Sequence, residues 1–524
     1  MRRVCLIFFL TRTANYLCTE LLIWIAEKGV VILMGNFADA IRNETKWTRT
    51  ENGAVALKDT GDACLNFFAV VGALRNADKT RVETLYEEAY REDPLLATKI
   101  LFYARDIRGG LGERKVFNDL LHYASIHHPE SIVKNIELIP EYGRFDDWYS
   151  MVDTPLEKKM WNAMDKQLNH DYFDMTHNKP ISLLAKWVKS CNSGASPKTR
   201  ELGEKTAKEM GLSFKEYRKI ISTLRRYIDV TECKMSENEW ETIKYSSVPS
   251  RAMMNYRNAF VKHDEDGFNQ YLESVKSGKT KINSSTLYPY DLIERYLNYG
   301  WGFQTKAEDA VLEEQWKALP NYVEENTNAL VICDTSGSMT GRPICSAVGL
   351  AIYFAERNRG IFHNLFMEFS SESNYVELKG ETLKQKINSA VKADWYMSTN
   401  LASAFAKILN TAVENHIPED EMPKALIVIS DMEIDHCGNR DWSFYDREKA
   451  LYEMAGYEIP HVIFWNVESR HEVFHADANR KGVTLVSGQS TSTFKNLMSV
   501  IGKTPYEAML STLNSDRYAP IQID

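Results

Sequence analysis

Cysteine is scarce and scattered. Cys5, Cys18, Cys64, Cys191, Cys233, Cys333, Cys345 and Cys437 are spread over 524 residues, with no Cys-x-x-Cys pair and no zinc-like spacing to histidine. This excludes a zinc module and a disulfide framework, and points to a reducing, cytoplasmic setting. No apolar run reaches the roughly 18 residues that a membrane span requires. Val4 to Leu10 is broken by Thr11-Arg12-Thr13, and Leu21 to Ala26 is also short. No membrane contact is expected. Basic charge is not in excess either. With a formal net charge of −9, the whole surface cannot capture nucleic acid electrostatically, and any such contact needs a local basic patch. Also missing are a Ser-His-Asp order, a phosphate-cradling glycine loop and a Cys-His pair, so the familiar hydrolase and nucleotidase chemistries have no carrier. No fixed repeat period is visible.

What is present is one oxygen-rich loop. The apolar run Ala329-Leu330-Val331-Ile332-Cys333 leads into Asp334-Thr335-Ser336-Gly337-Ser338-Met339, which places one carboxylate and two hydroxyls at a spacing of two beyond a buried strand. Hard divalent cations take about six oxygen ligands, and Mg²⁺ usually keeps waters, so this set suits a cation with an open position. The competing reading is an Asp-Ser-Gly turn that only caps the following helix. An aspartyl-phosphate phosphatase would need a second carboxylate where Ser336 stands.

The surrounding pattern alternates strands and helices. Pro343 to Arg357 carries Ile344, Val348, Ala351, Ile352 and Ala355 at helical spacing. Strands are expected at Leu365 to Ser370, Tyr375 to Leu378, Ala425 to Ile429, His461 to Trp465 and Val483 to Val486, with helices at Glu381 to Val391 and Leu401 to Val413. Strands that are apolar throughout, alternating with helices, imply a parallel sheet covered on both faces, an α/β doubly wound domain. Upstream, from about Val82 to Pro320, the pattern is helical. Asp93 with Pro94 opens one helix, which Gly109-Gly110 stops. Further helices are expected at Val116 to Ser125, Glu130 to Ile139, Ile181 to Val188, Phe214 to Tyr227, Asn255 to Val261 and Asp264 to Val275. Many short helices joined by short turns suggest a HEAT-like α-helical solenoid. The expected division is a doubtful leader at 1–33 with Met34 as natural start, a helical module at 45–320, a linker at 321–328, the α/β domain at 329–505, and a C-terminal tail or helix at 506–524.

Asp334, Ser336 and Ser338 match the Asp-x-Ser-x-Ser pattern of the metal-ion-dependent adhesion site (MIDAS) in von Willebrand factor A domains, a Rossmann-like fold. The resemblance implies that Thr399 and Asp431 complete the shell, and that Mg²⁺ or another divalent cation such as Mn²⁺ binds there. A wider resemblance runs through Thr50-Glu51-Asn52-Gly53-Ala54, Arg105 to Arg114, Tyr142 to Asp147, Leu183 to Trp187, Tyr217-Arg218-Lys219, Val248-Pro249-Ser250, Ser430 to Asp435 and Phe464-Trp465-Asn466. These motifs resemble a family catalogued as domain of unknown function 2828. Its layout is similar to the TROVE proteins, including the Ro autoantigen, in which a ring of HEAT-like helices precedes an A domain. The resemblance implies a non-catalytic scaffold that binds small structured RNA on the helical module and an acidic protein ligand at the metal site.

RNA contacts would come from basic clusters, with aromatics stacking on unpaired ends. The candidates are Arg105, Arg108 and Arg114 at a glycine-rich turn, Lys186 and Lys189, Arg218, Lys219, Arg225 and Arg226, and the loop with Lys276, Lys279 and Lys281. The alternative is that the arginines pair with Asp106, Glu113, Asp146 or Asp147 to fix helix connections. A purely protein-binding adaptor is a second functional reading. A metal-dependent phosphodiesterase built on Asp431, Glu433, Asp435 and His436 is a third.

Overall fold

The computed structural model describes residues 46–298, 304–325, 327–369, 373–391, 399–435, 443–495 and 497–523. The expected leader, Ser370 and His436 lie outside them. An antiparallel hairpin comes first, β1 (Trp47–Arg49) and β2 (Val55–Leu57), with Trp47 opposite Leu57. A helical region follows: α1 (Ala63–Val70), α2 (Lys79–Glu92), α3 (Pro94–Arg105), α4 (Arg114–His127), α5 (Glu157–Thr176), α6 (Pro197–Glu209), α7 (Phe214–Tyr227), α8 (Ser250–His263), α9 (Glu265–Lys276) and α10 (Pro289–Tyr296). Among the described residues no helix is long and apolar enough to cross a membrane.

Local chemistry explains the starts. The Asp93 carboxylate accepts from the Leu96 N–H at 2.8 Å, satisfying one of the orphan donors of α3, and Pro94 occupies a first-turn position where its missing N–H costs nothing. The helix expected at Glu130 to Ile139 is instead split into Pro129–Val133, a 3₁₀ turn at Ile136–Leu138, and Ile139–Tyr142. Pro140 supplies the reason: it lacks the donor and its ring opposes the carbonyl four residues back, so the helix restarts around it. Likewise only Leu184–Trp187 is helical of the expected Ile181 to Val188.

The second part is a six-stranded sheet. Its strands are β3 (Ala329–Asp334), β4 (Leu365–Phe369), β5 (Ser373–Glu377), β6 (Ala425–Ser430), β7 (His461–Asn466) and β8 (Val483–Ser487), in the order β8-β7-β6-β3-β4-β5. All neighbours are parallel except the edge strand β5. The interleaved helices include α11 (Arg342–Arg357), α12 (Leu401–Glu414) and α13 (Phe444–Ala455), and α14 (Pro505–Leu513) closes the chain. Side-chain alternation divides the sheet into two faces. Leu330 and Ile332 of β3 join one apolar cluster with Phe405, Tyr452 and many residues of the helical region, while Val331 and Cys333 join another with α10 and α11.

The helical and sheet regions are therefore packed into each other. The first cluster runs without a break from Leu65, Phe102 and Trp161 to Val428 and Phe464. The C-terminal segment adds a polar clasp, with Arg517 on Asp106 at 2.8 and 2.9 Å and the Tyr518 hydroxyl on Asp106 at 3.2 Å. In a doubly wound sheet, a crevice opens beyond the carboxyl ends of the strands where chain order reverses. Here that point lies between β3 and β6.

Candidate functional site

Asp334 ends β3 and Asp431 follows β6, so sheet topology alone brings the two carboxylates to the switch point. Asp334 is fully buried. Its Oδ1 accepts the Ser336 N–H at 2.9 Å and its Oδ2 accepts the Ser430 hydroxyl at 2.5 Å. Ser430 also accepts the Met432 N–H at 3.0 Å, so one buried hydroxyl ties the two loops together. The Asp334 carboxyl is pushed up to about 7, first by burial and then by the negative charge of Asp431, with the Ser336 and Ser430 hydrogen bonds opposing the rise. A buried carboxyl in the field of a second buried acid favours a positive charge beside it.

The hydroxyls complete the donor set. Ser336 Oγ and Ser338 Oγ share a hydrogen bond of 3.1 Å, Ser336 buried and Ser338 exposed. Adjacent ligands of an octahedral Mg²⁺ at ~2.1 Å stand about 3 Å apart, so this spacing fits such an ion. Thr399, just before α12, is also buried, and its backbone carbonyl accepts the Asp435 N–H at 2.9 Å, joining the second loop to the third. All five candidate ligands, Asp334, Ser336, Ser338, Thr399 and Asp431, thus belong to three loops gathered at one end of the sheet. They supply oxygen only, as a hard cation requires.

The amino-terminal hairpin lies over these loops, which the sequence did not disclose. Asn52 Nδ2 donates to Thr399 Oγ1 at 3.3 Å and to the Glu433 carbonyl at 2.7 Å, and the Glu51 N–H donates to Glu433 Oε2 at 2.5 Å. Gly53 forms an isolated bridge with Asp435. Glu433 is buried and holds His471 Nδ1 at 2.9 Å, so of the acidic trio read as a hydrolase motif, Glu433 organises neighbouring loops. Asp431 accepts the Glu433 N–H at 3.1 Å and the Arg470 Nη2–H at 2.8 Å. Ligand atoms of Glu51, Glu433 and His471 lie within 4.8 Å of one another, a spacing that could hold a cation.

The other feature is a cavity of about 1820 Å³ on the helical region. Eleven lysines and arginines line it, against Glu137, Glu141, Asp229 and Glu232. Five of the basic candidates reach it: Arg105, Arg108, Arg114, Lys186 and Arg225. Much of this charge is engaged. Arg105 pairs with Asp147 at 2.7 Å, Arg114 with Asp146 at 2.6 Å, and Arg108 lies 3.8 Å from Glu141, so the glycine-rich turn is braced by ion pairs. Lys189 sits 3.6 Å from Asp146 and is not part of the lining. Arg218, Lys219, Arg226, Lys276, Lys279 and Lys281 are exposed and away from the cavity. The sequence reading missed Arg75, Arg144, Arg251 and Arg342, and the aromatic rings of Trp187, Tyr288 and Tyr290 that face the same space. Only Trp187 had a local signal, as the neighbour of Lys186.

A family model described as "Domain of unknown function (DUF2828)" matches residues 50–173 and 163–328. The chain belongs to this family. A second model, "Domain of unknown function (DUF7788)", matches residues 328–516 and so takes in the whole sheet region with the Asp334 loop. The junction between the two matches falls at the start of β3. The chain is also similar to "Uncharacterized protein L728" of Acanthamoeba polyphaga mimivirus, 29% identical over 514 residues, which span 91% of this chain and 88% of the viral protein. The likeness therefore extends across the helical and sheet parts together.

Proposed function

We propose that this DUF2828 protein is a non-catalytic, Ro-like scaffold. In this reading the sheet region is a von Willebrand factor A type domain whose Asp334, Ser336, Ser338, Thr399 and Asp431 hold Mg²⁺ or Mn²⁺, with an acidic side chain of a protein partner completing the shell. The HEAT-like helical module binds structured RNA, drawing an unpaired end into the basic cavity. The observation that carries the RNA half is the cavity itself: cations outnumber carboxylates on its wall, and Trp187, Tyr288 and Tyr290 offer faces for bases. The observation that supports the metal half is the 3.1 Å spacing of the Ser336 and Ser338 hydroxyls beside two buried carboxylates.

Arg144 lies 4.1 Å over the Trp187 ring, which fixes the indole at the cavity wall. Stacking of one base on an aromatic ring contributes about 1–3 kcal/mol, so Trp187→Ala is expected to weaken binding of a hairpin RNA with a single-stranded tail roughly 5- to 100-fold. A blunt duplex of the same sequence should be little affected. Filter binding over a salt series measures both, and affinity no better than that of an unrelated acidic protein would reject the RNA reading. Pull-downs with and without EDTA test the other half: partners lost on chelation, and lost in Asp334→Ala, are expected. Metal-dependent partners with no nucleic acid bound would favour the protein-only adaptor.

A further inference from the structure

The foot of the cavity, where the helical region meets the sheet region, gathers three arginines from distant parts of the chain. Arg342 opens α11, four residues beyond Ser338. Its guanidinium donates from Nε to Gln489 Oε1 at 2.7 Å and lies 3.9 Å over the Tyr290 ring. Arg75 donates from Nη1 to the same Gln489 oxygen at 2.8 Å. Arg251, on α8, pairs with Asp291 at 2.9 Å and stands beside Tyr290. All three arginines act on the Tyr290 hydroxyl electrostatically, and all three line the cavity with it.

The three arginines are not equally paired. Arg75 is paired with Glu113, and Arg251 with Asp291, but among the described residues no carboxylate lies within ion-pair distance of Arg342. Among the described residues its side chain donates to a neutral amide oxygen, that of Gln489, which it shares with the Arg75 guanidinium. Burial holds Arg342 below the usual arginine range, and Arg75 adds to that, with nearby acids opposing. Two guanidiniums converging on one carbonyl oxygen, both at the cavity wall, carry more N–H donors than that oxygen can accept, a set that suits an oxyanion. The scaffold around them is tight. A Cβ on Gly349 of α11 would meet Pro289 Cβ at 3.0 Å and Ile293 Cγ1 at 3.1 Å, so α10 and α11 are in close contact and the spacing of Tyr290 and Arg342 is set by the core.

We propose that Arg75, Arg251 and Arg342, with Tyr290, form a binding site for one phosphodiester group of a nucleic-acid backbone, and that Arg342 links this site to the Asp334 loop. The proposal rests on the reading of the cavity as the RNA site. Arg342, the one guanidinium of the three without an ion pair among the described residues, matches the single charge of a phosphodiester, whereas a phosphomonoester brings about −1.5 to −2. The link follows from chain geometry. Gly341, at φ +95° and ψ −132°, forms the turn between the Ser338 loop and Arg342, so the two groups stand four residues apart on one short segment. Reciprocity then requires that cation and backbone phosphate alter each other's affinity by the same factor.

The test uses the full chain and a fluorescently labelled oligouridylate, titrated over a salt series with Mg²⁺ or with EDTA. Arg342→Gln is expected to weaken binding roughly tenfold, to lower the salt slope by about one released ion, and to abolish the difference between Mg²⁺ and EDTA. Arg342→Lys should restore the salt slope but not the full affinity, because charge is kept and the ring stacking is reduced. Lys449→Gln, at an exposed position of α13, should change neither. Unchanged affinity and slope in Arg342→Gln would overturn the site while leaving the RNA reading standing. No binding by the unaltered protein would remove both. Displacement by inorganic phosphate at a matched concentration of phosphate groups would assign the site to free phosphate and overturn the backbone assignment.

Discussion

Arg470 joins Asp431 to Glu51: its guanidinium stands 2.8 Å from a carboxylate oxygen of each. A side-chain cation thus occupies one oxygen of a proposed metal ligand, and the hairpin that bears Glu51 is held over the loops by the same group. An ion entering at Asp431 must share or displace it. Arg470→Ala is therefore expected to raise the affinity for Mn²⁺ about tenfold, a change of about 1.4 kcal/mol. Calorimetric titration of the full chain reads this directly. An unchanged or weaker affinity would show that Arg470 orients Asp431 and does not compete at it.

The legible parts of this molecule were those fixed by local chemistry. β3, β6 and β7 read correctly because strands buried on both faces are apolar along their middle, with polar residues at their ends alone, and α3 because Asp93 and Pro94 begin it. The Asp334 loop stood out as a candidate because its oxygen donors, Asp334, Ser336 and Ser338, sit at alternate positions of one short segment. α5 was missed, although it is a 20-residue helix. It buries only Met160, Trp161, Met164, Leu168 and Asp171, a stripe too narrow to lift the pattern above the polar residues around it. The Asn52 and Arg470 contacts, and the convergence of Arg75, Arg251 and Arg342, depend on which distant segments pack together, and nothing in the letters encodes that. The basic clusters show the same limit: charge could be counted, but the side of each helix facing the cavity could not.

Glu448 sets a pH dependence of stability. It lies buried in α13, and its carboxyl is pushed up from 4.5 to about 7 by burial, which the neighbouring Arg447 offsets only in part. Between those two values the folded state retains a proton that the unfolded chain has released. Stability therefore falls as pH rises through this window, and the full cost is present above it. Glu448→Gln removes the ionisation. It is expected to stabilise the protein by roughly 2–3 kcal/mol above pH ~7 and to have little effect below pH ~4.5. Thermal melts across that range provide the check, and a stabilisation independent of pH would count against ionisation as the cause.

Gly72 is the point at which α1 and the turn after it meet the end of β8. A Cβ there would lie 2.6 Å from Gly488 Cα and 2.7 Å from its nitrogen, and backbone atoms cannot swing aside as a side chain would. The Gly72 N–H also donates to Ser487 Oγ at 3.0 Å, so separating the two segments would cost a buried hydrogen bond as well. Gly72→Ala is expected to destabilise by roughly 2–3 kcal/mol through overpacking. Gly61 provides the comparison. Its φ of +87° strains any side chain, yet nothing lies within 4 Å of its Cβ position, so Gly61→Ala should cost only the backbone part, about 1 kcal/mol. Melting of the two variants side by side separates steric from conformational cost. If Gly72→Ala melts no lower than Gly61→Ala, the helical and sheet regions are not held together as closely as this contact requires.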